Sequence, residues 1–232
     1  MEIQAESLTT VYVLIMDVLL ATVLLWVLHA NGATSRMLAA VGAGAALWLG
    51  FMVWGIGGQN LFQADIGSWA FFAILLCGVV GVLVLFMATR LGALLSKGGQ
   101  EFLLLPQGLR AFFGAGFLVE GALGVMPRDF AVLDGLTHIT AAVLALMTAL
   151  MLARRQVGLG AVWLTNLFGL VDVVVVAAGI AFVLLPQIGP HHNVMYAALF
   201  AAPIFIALHL LSLRLAWRAG VPAPVLSRAV HG

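Results

Sequence analysis

Charge is what this sequence has least of. Asp, Glu, Lys and Arg make up 8% of its 232 residues, and 64% are hydrophobic; a soluble domain carries about 25% charged residues. A single soluble core of this size cannot hide so much apolar surface, which excludes a water-soluble globule and calls for a bilayer as the solvent. Cysteine occurs once, as Cys77 inside an apolar run, so neither an intramolecular disulfide nor a Cys-based metal site can form. Lysine also occurs once, as Lys97. The net charge of +1 gives no footprint for nucleic acid. No phosphate-binding GxxxxGK[ST], GxSxG, CxxC or dinucleotide fingerprint is present, so nucleotide-driven chemistry is not expected. No motif fixes a reaction, and whether the chain is an enzyme stays open at this level.

What is present is a set of long apolar runs. A helical span needs roughly 20 apolar residues to cross about 30 Å of hydrocarbon. Runs at 8–30, 36–56, 68–90, 107–126, 130–153, 157–186 and 194–218 predict an all-α membrane protein, a single seven-helix bundle over residues 1–232. The breaks fall at Asn31-Gly32, Gly57-Gly58, Gly98-Gly99, Pro127 and the Pro186 to Pro190 turn. Met1 to Thr10 carries Glu2 and Glu6 and no basic residue, so the first run is expected to be a retained span and not a signal peptide.

Alternation of seven spans puts Arg36, Arg90, Lys97, Arg110, Arg154, Arg155, Arg214, Arg218 and Arg228 on one side and Arg128 alone on the other. The positive-inside rule then places the N-terminus outside and the C-terminus in the cytoplasm, in the inner membrane of a bacterial-type cell. Trp54 and Trp69 fall near the outer interface, and Trp26, Trp163 and Trp217 near the inner one; Trp48 fits neither. Gly42, Ala46 and Gly50 form a small-residue ridge on the second span, which suits close packing within the chain, against a second copy or against a partner subunit.

Ionisable groups at membrane depth are costly and face protein or water. Six stand out: Asp17, Glu120, Asp134, His138, Asp172 and His209. At 1.5 Å per residue, Asp134 lies about 6 Å from the outer end, Glu120, Asp17 and His138 about 10–13 Å, and Asp172 and His209 about 21–23 Å. Asp134 and His138 are i,i+4 neighbours on one face. Asp172 shares a stripe with Thr165, Gly169 and Gly179, and His209 shares one with Ala198, Ala202, Ser212 and Ala216. On the inner side only Asn166 and His29 continue such a path. Pro203, mid-span, is expected to kink the seventh helix and free the carbonyl of Leu199.

Three functions compete for these residues. The first is transport or conduction of protons, a cation or a small polar solute through a polar cavity opening outward, with the six residues as binding site and relay. The second is a membrane-embedded site for a divalent metal, built on Asp134 and His138 and completed by Glu120, Asp17 and His191 or His192 of the outer loop; a catalytic version needs one position left open for water. The third is a structural or sensory bundle whose charges pair with one another.

The span count, the outward N-terminus and the short loops resemble the microbial rhodopsins. That resemblance implies a retinal Schiff base on a seventh-span lysine. Residues 194–218 contain no lysine, so retinal is not expected.

Overall fold

The computed structural model describes residues 2–58, 62–63 and 65–220. Among them the chain is helical and without strands. Seven helices are long and apolar enough to cross a membrane: Glu6–Ala30, Ser35–Gly57, Ser68–Ala88, Gln100–Leu123, Arg128–Ala153, Leu159–Ile188 and Val194–Ala219. A short helix, Arg90–Lys97, joins the third to the fourth.

Six of the seven agree with the apolar pattern to within a few residues. The fourth begins at Gln100 and not at 107. Pro106 has no N–H to give and its ring blocks the regular ladder, yet the helix does not stop there. It tightens into a 3₁₀ turn at Leu105–Leu109, between α-helical Gln100–Leu104 and Arg110–Leu123. This moves Arg110 from the first turn of the expected span into the middle of a helix, where it is 0% exposed. Its expected place among the surface cations is therefore corrected. The exposed basic residues at that end are Arg36, Arg90, Lys97, Arg154, Arg155, Arg214 and Arg218, with Arg128 at the other end. Arg228 lies outside the described residues.

Side-chain contacts between helix ends and the neighbouring turns tie the two ends of the bundle. At the N-terminal end, Asn193 Nδ2 donates to Thr9 Oγ1 at 2.6 Å. At the basic end, Lys97 Nζ donates to Asn31 O at 3.2 Å and Gln100 Nε2 to Ser212 O at 3.0 Å.

Burial follows helical spacing. Thr9, Val13, Asp17, Leu20, Leu24 and Val27 form the buried stripe of the first helix, while Leu8, Val11, Ile15 and Val18 face outward. The seventh helix is mostly buried as far as Ser212, packed against the third, fourth and sixth, while its last turns, with Arg214, Trp217 and Arg218, are exposed. The second helix is the opposite case: only Met52, Gly55 and Ile56 of it are buried, and Gly44 and Gly50 have nothing beside them.

Two sequence features shape the interior. Gly114 of the fourth helix and Gly135 of the fifth lie so close that a Cβ on either would stand 2.5 or 2.8 Å from the carbonyl of the other. The seventh helix breaks at Phe200, three residues before Pro203. The carbonyl of Leu199, which a residue other than proline at 203 would have bonded, accepts the indole N–H of Trp48 at 3.3 Å. That contact accounts for a tryptophan far from either end of its helix.

Candidate functional site

Arg110 organises the centre of the bundle. The 3₁₀ turn before it aims its side chain between the sixth and seventh helices. Nη2 pairs with Asp172 Oδ2, and Nη1 donates to Gly169 O at 2.9 Å and contacts His209 Nε2 at 3.2 Å. The guanidinium carbon lies 5.7 Å above the ring of Phe205, within cation–π range. Glycine at 169 is required for this approach, because a Cβ there would run into the His209 ring.

Arginine can only donate, and this fixes every proton beyond it. His209 Nε2 must accept, so the ring proton sits on Nδ1 and is donated to Asn166 Oδ1 at 3.0 Å. The Asn166 amide nitrogen is then free to donate to Val162 O and to Ser212 Oγ, both at 2.8 Å. Ser212 in turn donates to Gln100 Oε1 at 2.5 Å. Each side-chain link from Arg110 Nη1 through His209, Asn166 and Ser212 to Gln100 Oε1 donates toward the basic end.

On the other side of the pair, His138 Nδ1 lies 3.2 Å from the same Asp172 oxygen. Asp134 is one turn further toward the N-terminal end and close enough to Asp172 for the two carboxyls to interact. Four helices thus contribute to one line of polar side chains. By helical rise His138 lies about 15 Å from the N-terminal end of the fifth helix, and Gln100 is the first residue of the fourth helix at the basic end. A Thr148–Thr165 hydroxyl pair at 2.7 Å links the fifth and sixth helices.

Of the six residues singled out in the sequence, Asp134, His138, Asp172 and His209 come together. Asp17 does not join them: it is 0% exposed on the inner stripe of the first helix, and neither carboxyl oxygen has a hydrogen-bond partner. Glu120 lies near the N-terminal end beside Asn193 and Thr9, without an aligned hydrogen bond to either. The residues that sequence reasoning missed are Arg110 and Gln100.

The chain belongs to the family described as a domain of unknown function, DUF8737. The match covers residues 68–217, from the third helix almost to the end of the seventh. All of Gln100, Arg110, Asp134, His138, Asn166, Asp172, His209 and Ser212 lie inside it, whereas Thr9 and Asp17 lie outside. No curated protein and no solved structure matches the chain.

The set Asp134, His138, Glu120, His191 and His192 is not gathered around one point. Among the described residues no three His, Cys, Asp or Glu side chains stand as a metal-binding group. His192 has another use: Nδ1 accepts from Val194 N at 3.2 Å, so Nε2 carries the proton and donates to Val125 O at 3.1 Å. Burial lowers the pKa of His192 from 6.5, opposed by the Val125 bond and the charge of Glu6. The cavity beside His138 is about 20 Å³, room for about one water, with walls of Phe113, Phe117, Val173 and alanines of the seventh helix.

Proposed function

We propose that this chain passes protons across a membrane, with the Arg110–Asp172 pair as the switch in the path. The observation that carries the reading is the unbroken line of side chains from His138 through Asp172, Arg110, His209, Asn166 and Ser212 to Gln100. The orientation that goes with it has the N-terminal end outside and the basic end in the cytoplasm, supported by seven exposed cations at one end against Arg128 at the other.

Arg110 decides among the possible cargoes. A guanidinium does not give up its proton, and it already occupies Asp172, so the centre of the path offers a metal cation no free carboxylate. A cavity with room for one water leaves no passage for a larger solute. A proton needs neither. Asp134 and His138 take it from the outer side, and His138 hands it to Asp172 across 3.2 Å. Protonated Asp172 no longer holds Arg110 by charge. The guanidinium is then released to move, exposing His209 Nε2 to the proton on Asp172. His209 takes it on Nε2 and becomes an imidazolium whose Nδ1–H is still held by Asn166 Oδ1. The amides of Asn166 and Gln100 orient the ring and carry no proton, and His209 gives up the Nδ1 proton to water entering from the basic end.

Liposomes holding the protein and a trapped pH dye, given an imposed pH step, test the reading. The wild type is expected to relax the step faster than protein-free vesicles. His209→Gln keeps a hydrogen-bonding side chain but cannot carry a proton, and is expected to slow the relaxation at least tenfold. Equal rates for wild type, variant and empty vesicles would refute it.

A further inference from the structure

A second cavity has no part in the proton path. It is about 390 Å³, a size within the range of small-ligand sites, and lies at the basic end between the close of the third helix, the short helix Arg90–Lys97 and the last turns of the seventh. Lys97, Arg214 and Arg218 line it and no carboxylate does, so three positive charges face one cavity without a counter-charge in its wall. Arg214 is held in place, donating from Nη1 to Met87 O at 3.1 Å. The rest of the wall is divided in character. Ser96 and Thr89 bring hydroxyls, while Met87, Leu211 and Leu215 continue the apolar surface of the helices into the cavity.

We propose that this cleft binds an anionic phospholipid, its phosphate held by Lys97, Arg214 and Arg218 and its acyl chains lying along Leu211 and Leu215. The charges call for an anion, and phosphate oxygens suit both arginine forks and hydroxyl donors. The apolar half of the wall selects an amphiphile over a free anion. The location agrees, because a basic pocket at the end of membrane-spanning helices meets lipid head groups. Its occupant bridges the third and seventh helices and holds the short helix against them. The site is independent of the proton reading and stands or falls by itself.

The test is the lipid kept by the purified full chain after extraction from mixed phosphatidylglycerol and phosphatidylcholine vesicles, counted by native mass spectrometry. The wild type is expected to keep one phosphatidylglycerol in preference to phosphatidylcholine. Removing one such charge weakens binding about fivefold, so R214Q/R218Q is expected to bind about twenty-fivefold more weakly. Ala93→Phe fills the cleft without changing its charge and is expected to expel the lipid as well. Arg36→Gln with Arg155→Gln, at the same end but outside the cleft, should leave retention unchanged. Equal retention of both lipids by the wild type, or wild-type retention by both cleft variants, would overturn the proposal. Displacement of the lipid by excess inorganic phosphate would assign the cleft to a free anion and overturn it too.

Discussion

Arg110 and Asp172 form an ion pair between the fourth and sixth helices, and Arg110 also contacts Gly169 and His209 while His138 lies against Asp172. The pair is mutual in a strict sense. Each charge is buried, so removing one partner leaves the other without compensation, and that costs about 3–5 kcal/mol. Arg110→Gln and Asp172→Asn are each expected to lower the thermal unfolding midpoint in detergent substantially. The double variant, which buries no charge, should recover most of the loss. A double variant less stable than both single ones would mean that the pair is not the unit described here.

Glycine at two positions of the sixth helix is expected to behave in opposite ways. Gly169 has the His209 ring and Arg110 against it, so Gly169→Ala forces the polar line apart and should cost about 1–3 kcal/mol, as overpacking does. Gly160 has nothing within 4 Å, and Gly160→Ala should stabilise by about 0.5–1 kcal/mol through the lower backbone entropy of alanine. Unfolding curves of the two variants make the comparison, and equal effects would contradict the placement of His209 on Gly169.

His192 predicts a pH dependence at the N-terminal end. Its pKa is lower in the folded chain than the ordinary 6.5, chiefly because it is buried. The unfolded chain then binds the proton first, so stability falls as the pH drops below about 6.5, with a slope of at most about 1.4 kcal/mol per pH unit from this group. The protection of the amides at 189–195, corrected for the intrinsic exchange rate at each pH, should fall over that interval. His192→Gln should remove this part of the acid sensitivity, and an unchanged profile in the variant would exclude His192 as its source.

The helix count was legible because it rests on long apolar runs and on where the cations fall, and both signals are strong in a chain with 8% charged residues. Asp172 and His209 could be singled out for a similar reason, since an ionisable group inside such a run has to be accounted for. Arg110 was not legible. Pro106 reads as a helix boundary, and an arginine four residues beyond it reads as a surface cation. The apolar Phe102 to Leu105 ahead of the proline was the signal that the helix starts earlier. Nothing in the sequence told Glu120 and Asp17 apart from the four groups that gather, because depth along a helix says how far in a residue lies and not which neighbour it meets. The break at Phe200 was legible in Pro203, but its partner Trp48, 151 residues away, was not.

Proton flux through the charge-neutral double variant R110Q/D172N tests the central claim most directly. It has no titratable group at the switch, yet it leaves no charge buried alone, so it separates conduction from folding. Reconstituted in liposomes under a pH step, it is expected to be folded, with an unfolding midpoint near that of the wild type, and to relax the step no faster than protein-free vesicles. Wild-type flux from the folded double variant would contradict the account and leave the pair a structural feature of the bundle.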